Sequence, residues 1–140
     1  MARVLALDIG EKRIGVAVSD ESQRLARPLA TIVRASKRED FEEVARLIAE
    51  YDAERLIVGL PKTLRGEEGP QAQRVRRYAD ALSAAISVPV FFQDERYTSV
   101  EAEERLKEAP RKRRAKGAID AAAAAIILQD YLNQRQTNDE

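Results

Sequence analysis

The chain opens with an apolar segment that ends at an acid, Arg3-Val4-Leu5-Ala6-Leu7-Asp8-Ile9-Gly10. Its composition predicts a β-strand, and a second strand over residues 13–20 follows the short polar link at 11–12, as in a hairpin. A third strand is expected over residues 24–33, where Pro28 favours the edge of a sheet. The sequence therefore begins with an antiparallel meander.

Two β-α units follow this meander. Ser36 and Glu39 have the capping-box spacing that begins a helix, and Pro70 suits the first turn of another. The remaining predicted elements are helices over 36–51, 70–84, 98–108 and 117–133 and strands over 55–61 and 88–95. The 140 residues fit one domain, predicted over 1–133, with a frayed tail over 134–140.

The order of these elements predicts an α/β fold. Right-handed crossovers place the fourth strand beside the first and the fifth beside the fourth. The expected architecture is a mixed five-stranded sheet in the order 3-2-1-4-5, with helices on both faces. The carboxyl ends of strands one, four and five then open at one edge of the sheet, which is where ligands bind in open α/β sheets.

The composition narrows the chemistry available to this chain. It has no cysteine and no histidine, which excludes disulfides, thiolate nucleophiles, Ser-His-Asp triads and zinc sites built from thiolate or imidazole. Lys+Arg and Asp+Glu both number 24, so a nucleic-acid partner has to be held by a local basic patch. The longest apolar run, 121–128, is too short to span a bilayer, and no signal-peptide pattern opens the chain. We therefore expect a cytoplasmic protein with no membrane partner.

Three acids stand where the ligand-binding edge is expected. Asp8 and Glu95 end the first and last predicted strands, and Asp120 lies at the head of an alanine-rich helix stripe. Crowded carboxylates repel one another, and a divalent cation relieves the repulsion; oxygen ligands favour magnesium or manganese. Each acid also has an ordinary structural interpretation: Asp8 as a turn residue, Glu95 as a solvated residue before a helix cap, and Asp120 as an N-cap.

Four blocks of sequence combine these acids with glycines and apolar residues. They are Leu5-Ala6-Leu7-Asp8-Ile9-Gly10 with Arg13-Ile14-Gly15-Val16-Ala17; Ile57-Val58-Gly59-Leu60-Pro61 with Gly66 and Gly69; Asp94-Glu95-Arg96-Tyr97-Thr98-Ser99 with Glu101-Ala102; and Ile119-Asp120-Ala121 with Ala123-Ala124 and Leu128. In this order and at these spacings, the chain resembles the YqgF (RuvX) family of the ribonuclease H-like superfamily over residues 3–132.

The resemblance implies a ribonuclease H-like fold and a metal-dependent endonuclease. Family members are described either as processing the 5′ end of pre-16S ribosomal RNA or as resolving Holliday junctions. The catalytic and metal-binding roles carry over onto Asp8, Glu95 and Asp120. The implied cofactors and partners are magnesium or manganese, structured nucleic acid, and a second copy of the chain in a homodimer.

Under this interpretation, Asp8 bridges two metal ions about 4 Å apart, and Glu95 and Asp120 each hold mainly one of them. The better-studied junction resolvases of the superfamily have a fourth acid three residues before the last one, where this chain has Gly117. Either three acids suffice, or Asp94 or a water takes the place of the fourth.

Substrate contacts are assigned to local basic residues in the first hairpin, the loop after the fourth strand, the second helix and the linker before the last helix. The candidate substrate-binding residues are Lys12, Arg13, Lys62, Arg65, Arg74, Arg96, Arg111, Lys112, Arg113 and Arg114. A solvated face without function is the alternative interpretation of such basic runs. Because aromatic residues make up only 5% of the chain, recognition of backbone shape is favoured over base stacking.

Two other functions are compatible with the same residues. The segment Asp8-Ile9-Gly10, with Gly15 in the next strand, also resembles the phosphate-binding hairpin of the actin and sugar-kinase fold, which places two such domains around ATP. A nucleic-acid-binding scaffold without turnover is the third interpretation. Binding of ATP would identify the first, and metal-independent binding without cleavage would identify the second.

Overall fold

The computed structural model describes residues 2–63, 65–95 and 118–138, and within these ranges five strands and three helices follow one another. The elements are β1 (Arg3–Ile9), β2 (Arg13–Ser19), β3 (Ala26–Val33), α1 (Lys37–Glu50), β4 (Ala53–Pro61), α2 (Pro70–Ala85), β5 (Val90–Glu95) and α3 (Ala118–Asn138). The helix predicted over 98–108 and the basic linker lie outside the described residues.

The five strands form one mixed sheet in the order β3-β2-β1-β4-β5, which confirms the predicted order. The first three strands are antiparallel, whereas β4 runs parallel to β1 and β5 runs parallel to β4. Asp8 is paired with Gly15 of the neighbouring strand β2, and Pro61 is paired with Glu95. The carboxyl ends of β1, β4 and β5 therefore lie at one edge of the sheet, as expected.

Alternation along the strands separates the core into two layers. Leu5 and Leu7 of β1 pack with α1 and α2 on one face of the sheet, whereas Val4 and Ala6 pack with α3 on the other. Successive side chains of a strand point to opposite faces, so Asp8 belongs to the α3 face. The sheet is covered on both faces, which explains why its central strands are almost continuously apolar.

The helices begin where the sequence predicts. The hydroxyl of Ser36 accepts a hydrogen bond from the backbone N–H of Glu39 at 3.1 Å, and Pro70 occupies the first turn of α2. The predicted first residues of β3, β4 and β5 each differ from the observed ones by two positions. Pairing with a neighbouring strand, rather than apolar composition, determines where each strand begins.

The last helix is longer than predicted. It was expected to end at Asn133, with a frayed tail from 134, but α3 remains helical to Asn138. The guanidinium of Arg135 donates a hydrogen bond to the side-chain oxygen of Gln23 at 3.0 Å and lies over the ring of Tyr131. These contacts anchor the last turns against the loop before β3. Among the described residues, no helix combines the length and the apolar character that crossing a bilayer requires.

Helix α3 lies very close to the sheet where it crosses β2. A Cβ atom placed on Gly15 would overlap the backbone carbonyl of Asp120, and a Cβ on Gly59 would come within 2.5 Å of the Ile127 side chain. The alanines that α3 presents to the sheet, such as Ala124, are fully buried. Two glycines in the strands and small residues in the helix therefore determine how close Asp120 lies to the sheet.

We expect Gly15→Ala to lower the free energy of unfolding by about 1 to 3 kcal/mol, because the added methyl group forces α3 away from the sheet. Urea denaturation measures this loss. Gly69→Ala is the matched control, since a Cβ there meets only the Thr63 methyl group at an ordinary 3.6 Å. Equal stability of the two variants would contradict the close approach of α3.

Candidate active site

The structure brings two of the three predicted acids into direct contact. Asp8 near the end of β1 and Glu95 at the end of β5 are separated by β4, and their side chains lie close enough for a hydrogen bond between them to affect the pKa of both. Gly59 of β4 makes this contact possible, because a Cβ there would lie 2.9 Å from Oε2 of Glu95. A residue with a side chain at position 59 would occupy the space that Glu95 crosses.

Burial makes ionisation of this pair costly. Desolvation is the main cause that raises the pKa of Asp8 to about 6, with the charge of Asp120 adding to the rise and the hydrogen bond from Glu95 opposing it. Desolvation, followed by the charge of Asp8, raises the pKa of Glu95 to about 8. When no cation is bound, we therefore expect the two carboxyl groups to share one proton near neutral pH.

The third predicted acid, Asp120, lies in the first turn of α3 and is partly exposed. Its Oδ2 accepts a hydrogen bond from Nε of Arg13 at 2.8 Å, in an ion pair that joins residues 107 positions apart. Asp120 is close enough to raise the pKa of Asp8 by charge repulsion. The three acids thus share one edge of the sheet, but an arginine neutralises the third.

The carboxyl groups at this edge fit a divalent cation in their chemistry more than in their arrangement. In the described part of the chain, no group of three acids stands in a ligating arrangement. The Asp8 and Glu95 pair nevertheless has the chemistry of such a site: two partly buried carboxyl groups with only oxygen donors, whose raised pKa values favour exchange of a proton for a cation. Asp120 is the third candidate ligand, although its Oδ2 is bonded to Arg13.

Two of the predicted substrate-binding residues are already engaged in ion pairs. Arg13 was predicted to hold a phosphate, but its Nε is bonded to Asp120. The ammonium of Lys62 lies 3.0 Å from Asp94, and the backbone N–H of Lys62 donates to the carbonyl of Glu95. Strand alternation places Asp94 on the face opposite to Glu95, so Asp94 does not fill the position of the missing fourth acid.

The other predicted basic residues divide into two sets. Lys12, Arg65 and Arg74 are exposed on the hairpin turn, the loop after β4 and helix α2. Arg96, Arg111, Lys112, Arg113 and Arg114 lie outside the described residues, and their assignment to the substrate stays a prediction.

A buried polar cluster that was not predicted from the sequence lies on the opposite face of the sheet. Asp40 is 3% exposed and accepts hydrogen bonds from the hydroxyl of Tyr78 at 2.9 Å and from the backbone N–H of Ala35 at 3.0 Å. The guanidinium of Arg34 lies 4.5 Å from the centre of the Tyr78 ring and donates to the carbonyl of Gly10 at 2.7 Å. Helical spacing could have revealed the cluster, since Asp40 is four residues before buried Val44.

Comparison with solved structures supports the fold. Thermus thermophilus RuvC in complex with a Holliday junction aligns with a TM-score of 0.60 and 16% identity, covering 98% of this chain and 97% of that chain. The fowlpox virus resolvase, solved with Holliday junction DNA, aligns with a TM-score of 0.56 and 14% identity, covering 95% of this chain and 98% of that chain. The ribonuclease H-like fold predicted from the sequence is thus confirmed.

Sequence comparison gives the family. The family model described as RuvX, Holliday junction resolvase, matches residues 2–134. A relative from Chloroflexus aurantiacus is 51% identical over 96% of this chain and 89% of its own length, and one from Thermoanaerobacter pseudethanolicus is 46% identical over 96% and 98%. Both are named provisionally as pre-16S rRNA nucleases. The chain belongs to the RuvX family.

The raised pKa values of the buried pair predict how stability depends on pH. Because the folded state holds these protons more tightly than the unfolded state, the contribution of the pair to stability is greatest below the ordinary carboxyl values of 3.8 and 4.5 and is lost as the pH rises through about 6 and about 8. In buffer free of divalent ions, Glu95→Gln should flatten this fall in melting temperature. Glu42→Gln, at an exposed position of α1, should keep the wild-type slope. A Glu95→Gln slope equal to that of wild type would contradict the shared proton.

Proposed function

We propose that this protein is a divalent-metal-dependent endonuclease that hydrolyses phosphodiester bonds in structured nucleic acid. The observation that carries the proposal is the contact of Asp8 with Glu95 at the edge of a ribonuclease H-like sheet, with Asp120 beside them. The names of the family and of its relatives support two substrates, precursor 16S ribosomal RNA and Holliday junctions, and the proposal takes the 5′ end as the site of cleavage in the RNA. The proposal includes a cytoplasmic location, which the lack of cysteine fits, and a homodimer.

The metal-binding and catalytic residues in this proposal are Asp8, Glu95 and Asp120. Asp8 and Glu95 would hold a magnesium or manganese ion first, because they already meet, and Asp120 would complete the set for the predicted two ions. A bound divalent ion supplies positive charge for the transition state of phosphodiester hydrolysis and acidifies a water molecule. Since the chain has no histidine, no imidazole base competes for this role.

The chain's own side chains prepare the site in three ways. Desolvation raises the pKa of Asp8 and of Glu95, so we expect the site to release the proton that the pair shares when it binds a cation. The guanidinium of Arg13 is bonded to Asp120 at 2.8 Å. If Asp120 turns to a metal ion instead, this guanidinium can turn toward a substrate phosphate. Lys62, anchored at the backbone of Glu95, adds positive charge beside the same edge.

We expect Asp8→Asn to reduce cleavage by about a hundredfold or more, since even the outer partners of metal ligands are worth about 10- to 100-fold. The assay is cleavage of a labelled four-way DNA junction and of a precursor 16S RNA fragment, each with magnesium, with manganese and with a chelator. Asp94→Asn is the control, because Asp94 adjoins Glu95 in sequence but faces away from it, and it should keep most of the activity.

The same assay separates the competing functions. Undiminished cutting by Asp8→Asn would remove the proposed site. Metal-independent binding of both nucleic acids by the wild type, with no cleavage of either, would favour the scaffold without turnover. Binding of ATP would favour the kinase-like alternative.

The ion pair of Arg13 with Asp120 predicts an effect on metal affinity. Arg13→Gln should tighten manganese binding, because the ion no longer competes with a guanidinium for Asp120. Titration monitored by manganese electron paramagnetic resonance measures the affinity and the number of ions bound. Arg46→Gln, which breaks only exposed ion pairs on α1, is the control. Unchanged manganese affinity in Arg13→Gln would contradict a competition between the ion and Arg13 for Asp120.

A further inference from the structure

A basic cavity opens at the end of β1, on the face of the sheet opposite to Asp8. It has a volume of about 230 Å³, and Ile9 and Gly10, the two residues after Asp8, form part of its wall. Ile9 packs into the core with α1 and α2, which places the cavity on their side of the sheet. The cavity and the acids therefore share one edge but lie on opposite faces.

Four cationic side chains line this cavity, Arg34, Lys37, Arg74 and Arg77, together with one acid, Glu11. Asp40 lies below Arg34 and offsets a second charge, so an excess of two positive charges remains. Within residues 2–63, 65–95 and 118–138, no hydrogen bond or ion pair engages the side chains of Lys37, Arg74 or Arg77. By contrast, Arg46 and Arg76 on the same two helices are bound to glutamates.

The fourth cation is fixed in place by its surroundings. Arg34 donates to the carbonyl of Gly10, stacks on the ring of Tyr78 and lies 3.9 Å from Asp40. Asp40 is itself buried and bonded to the Tyr78 hydroxyl. A buried carboxylate is costly without partners, and here its partners hold a guanidinium at the wall of an open cavity. The site therefore has one rigid cation and three free ones.

We propose that this cavity binds a phosphate of the nucleic-acid backbone next to the phosphodiester that is cut. The inference rests on the proposed function and adds a second contact to it. The volume is below the roughly 300–1,000 Å³ of sites that enclose a small molecule, and four cationic side chains lie around an otherwise partly apolar wall, as suits one charged group of a larger ligand. Arginine forks match phosphate oxygens in geometry and charge.

The position of the cavity gives the substrate its path. A strand whose scissile phosphate lies at Asp8 and Glu95 would cross the end of β1, and its neighbouring backbone would reach Gly10 and the cavity behind it. The substrate would thus contact both faces of the sheet at one edge. Contacts of this kind position the backbone and carry no base sequence.

The test is equilibrium binding of a labelled four-way junction and of a precursor 16S RNA fragment, measured by fluorescence anisotropy at several salt concentrations. The Asp8→Asn variant serves as the background, so cleavage does not enter the readout. In this background, Arg74→Gln with Arg77→Gln should weaken binding of a nucleic acid by roughly tenfold or more and lower the salt slope by about 2. Arg74→Lys with Arg77→Lys keeps both charges and should restore most of the slope.

Arg24→Gln with Arg27→Gln is the matched control. Both residues are exposed, carry the same charge and lie near the opposite end of the sheet, since Arg27 pairs with Val18. This control should bind nearly as the background does. Equal affinities and salt slopes for the two double glutamine variants would overturn the proposal.

Titration with inorganic phosphate and with a mononucleotide distinguishes the source of the phosphate. Saturable binding of either one that depends on Arg74 and Arg77, while junction and RNA binding are unaffected by their loss, would overturn the backbone contact in favour of a small phosphate ligand. Failure of the proposed function is seen separately, as a wild-type protein that cuts neither substrate with either metal. The two failures are therefore distinguishable.

Discussion

The candidate site depends on two carboxyl groups that lie close together at one edge of the sheet, where desolvation disfavours the ionised form of each. Asp8 and Glu95 come from strands that are not neighbours, and the strand between them carries a glycine at the point of contact. This arrangement sacrifices hydration of both acids, so it is stable only while a proton or a cation compensates them. The rest of the fold holds this arrangement in place: β4 keeps the spacing, and α3 seals the face on which the pair lies.

Because side chains alternate along each strand, the two faces of the sheet carry different functional groups. The α3 face carries the acids and the ion pair of Arg13, whereas the face of α1 and α2 carries the rigid Arg34 and the free cations of the cavity. The neutral net charge of the chain conceals this separation, because the opposite charges are distributed by position rather than by number. An anionic polymer that crosses the edge meets metal-binding groups on one side and positive charge on the other.

Much of the fold could be predicted from the sequence, because its local signals agree with one another. The hydroxyl of Ser36 caps a helix as its spacing predicts, and the apolar run of β4 is buried on both faces. The right-handed crossover rule yields the strand order without any knowledge of side-chain contacts. The predicted end of α3 was wrong because the last turns are held by a contact between Arg135 and Gln23, which are far apart in the chain.

The acids of the site could be predicted from the sequence, but the ion pairs that they and their neighbours form could not. Apolar runs that end at Asp8 and Glu95 indicate the edge, yet nothing local shows that Arg13 occupies Asp120 or that Asp94 turns toward Lys62. These ion pairs depend on tertiary distances that no spacing rule contains. The buried Asp40 was hidden for a related reason, since its partner Tyr78 belongs to a different helix.

The order of β1, β2 and α3 along the chain has a consequence for biosynthesis. Val4, Ala6 and Ala17 are made before α3, yet they pack in one apolar cluster with Ala124 and Leu128 of that helix. The meander and its two β-α units can assemble on the other face of the sheet before residues beyond 118 emerge. Until α3 is made, this apolar sheet surface lacks the helix that packs on it, which is the condition under which chaperones engage a growing polypeptide.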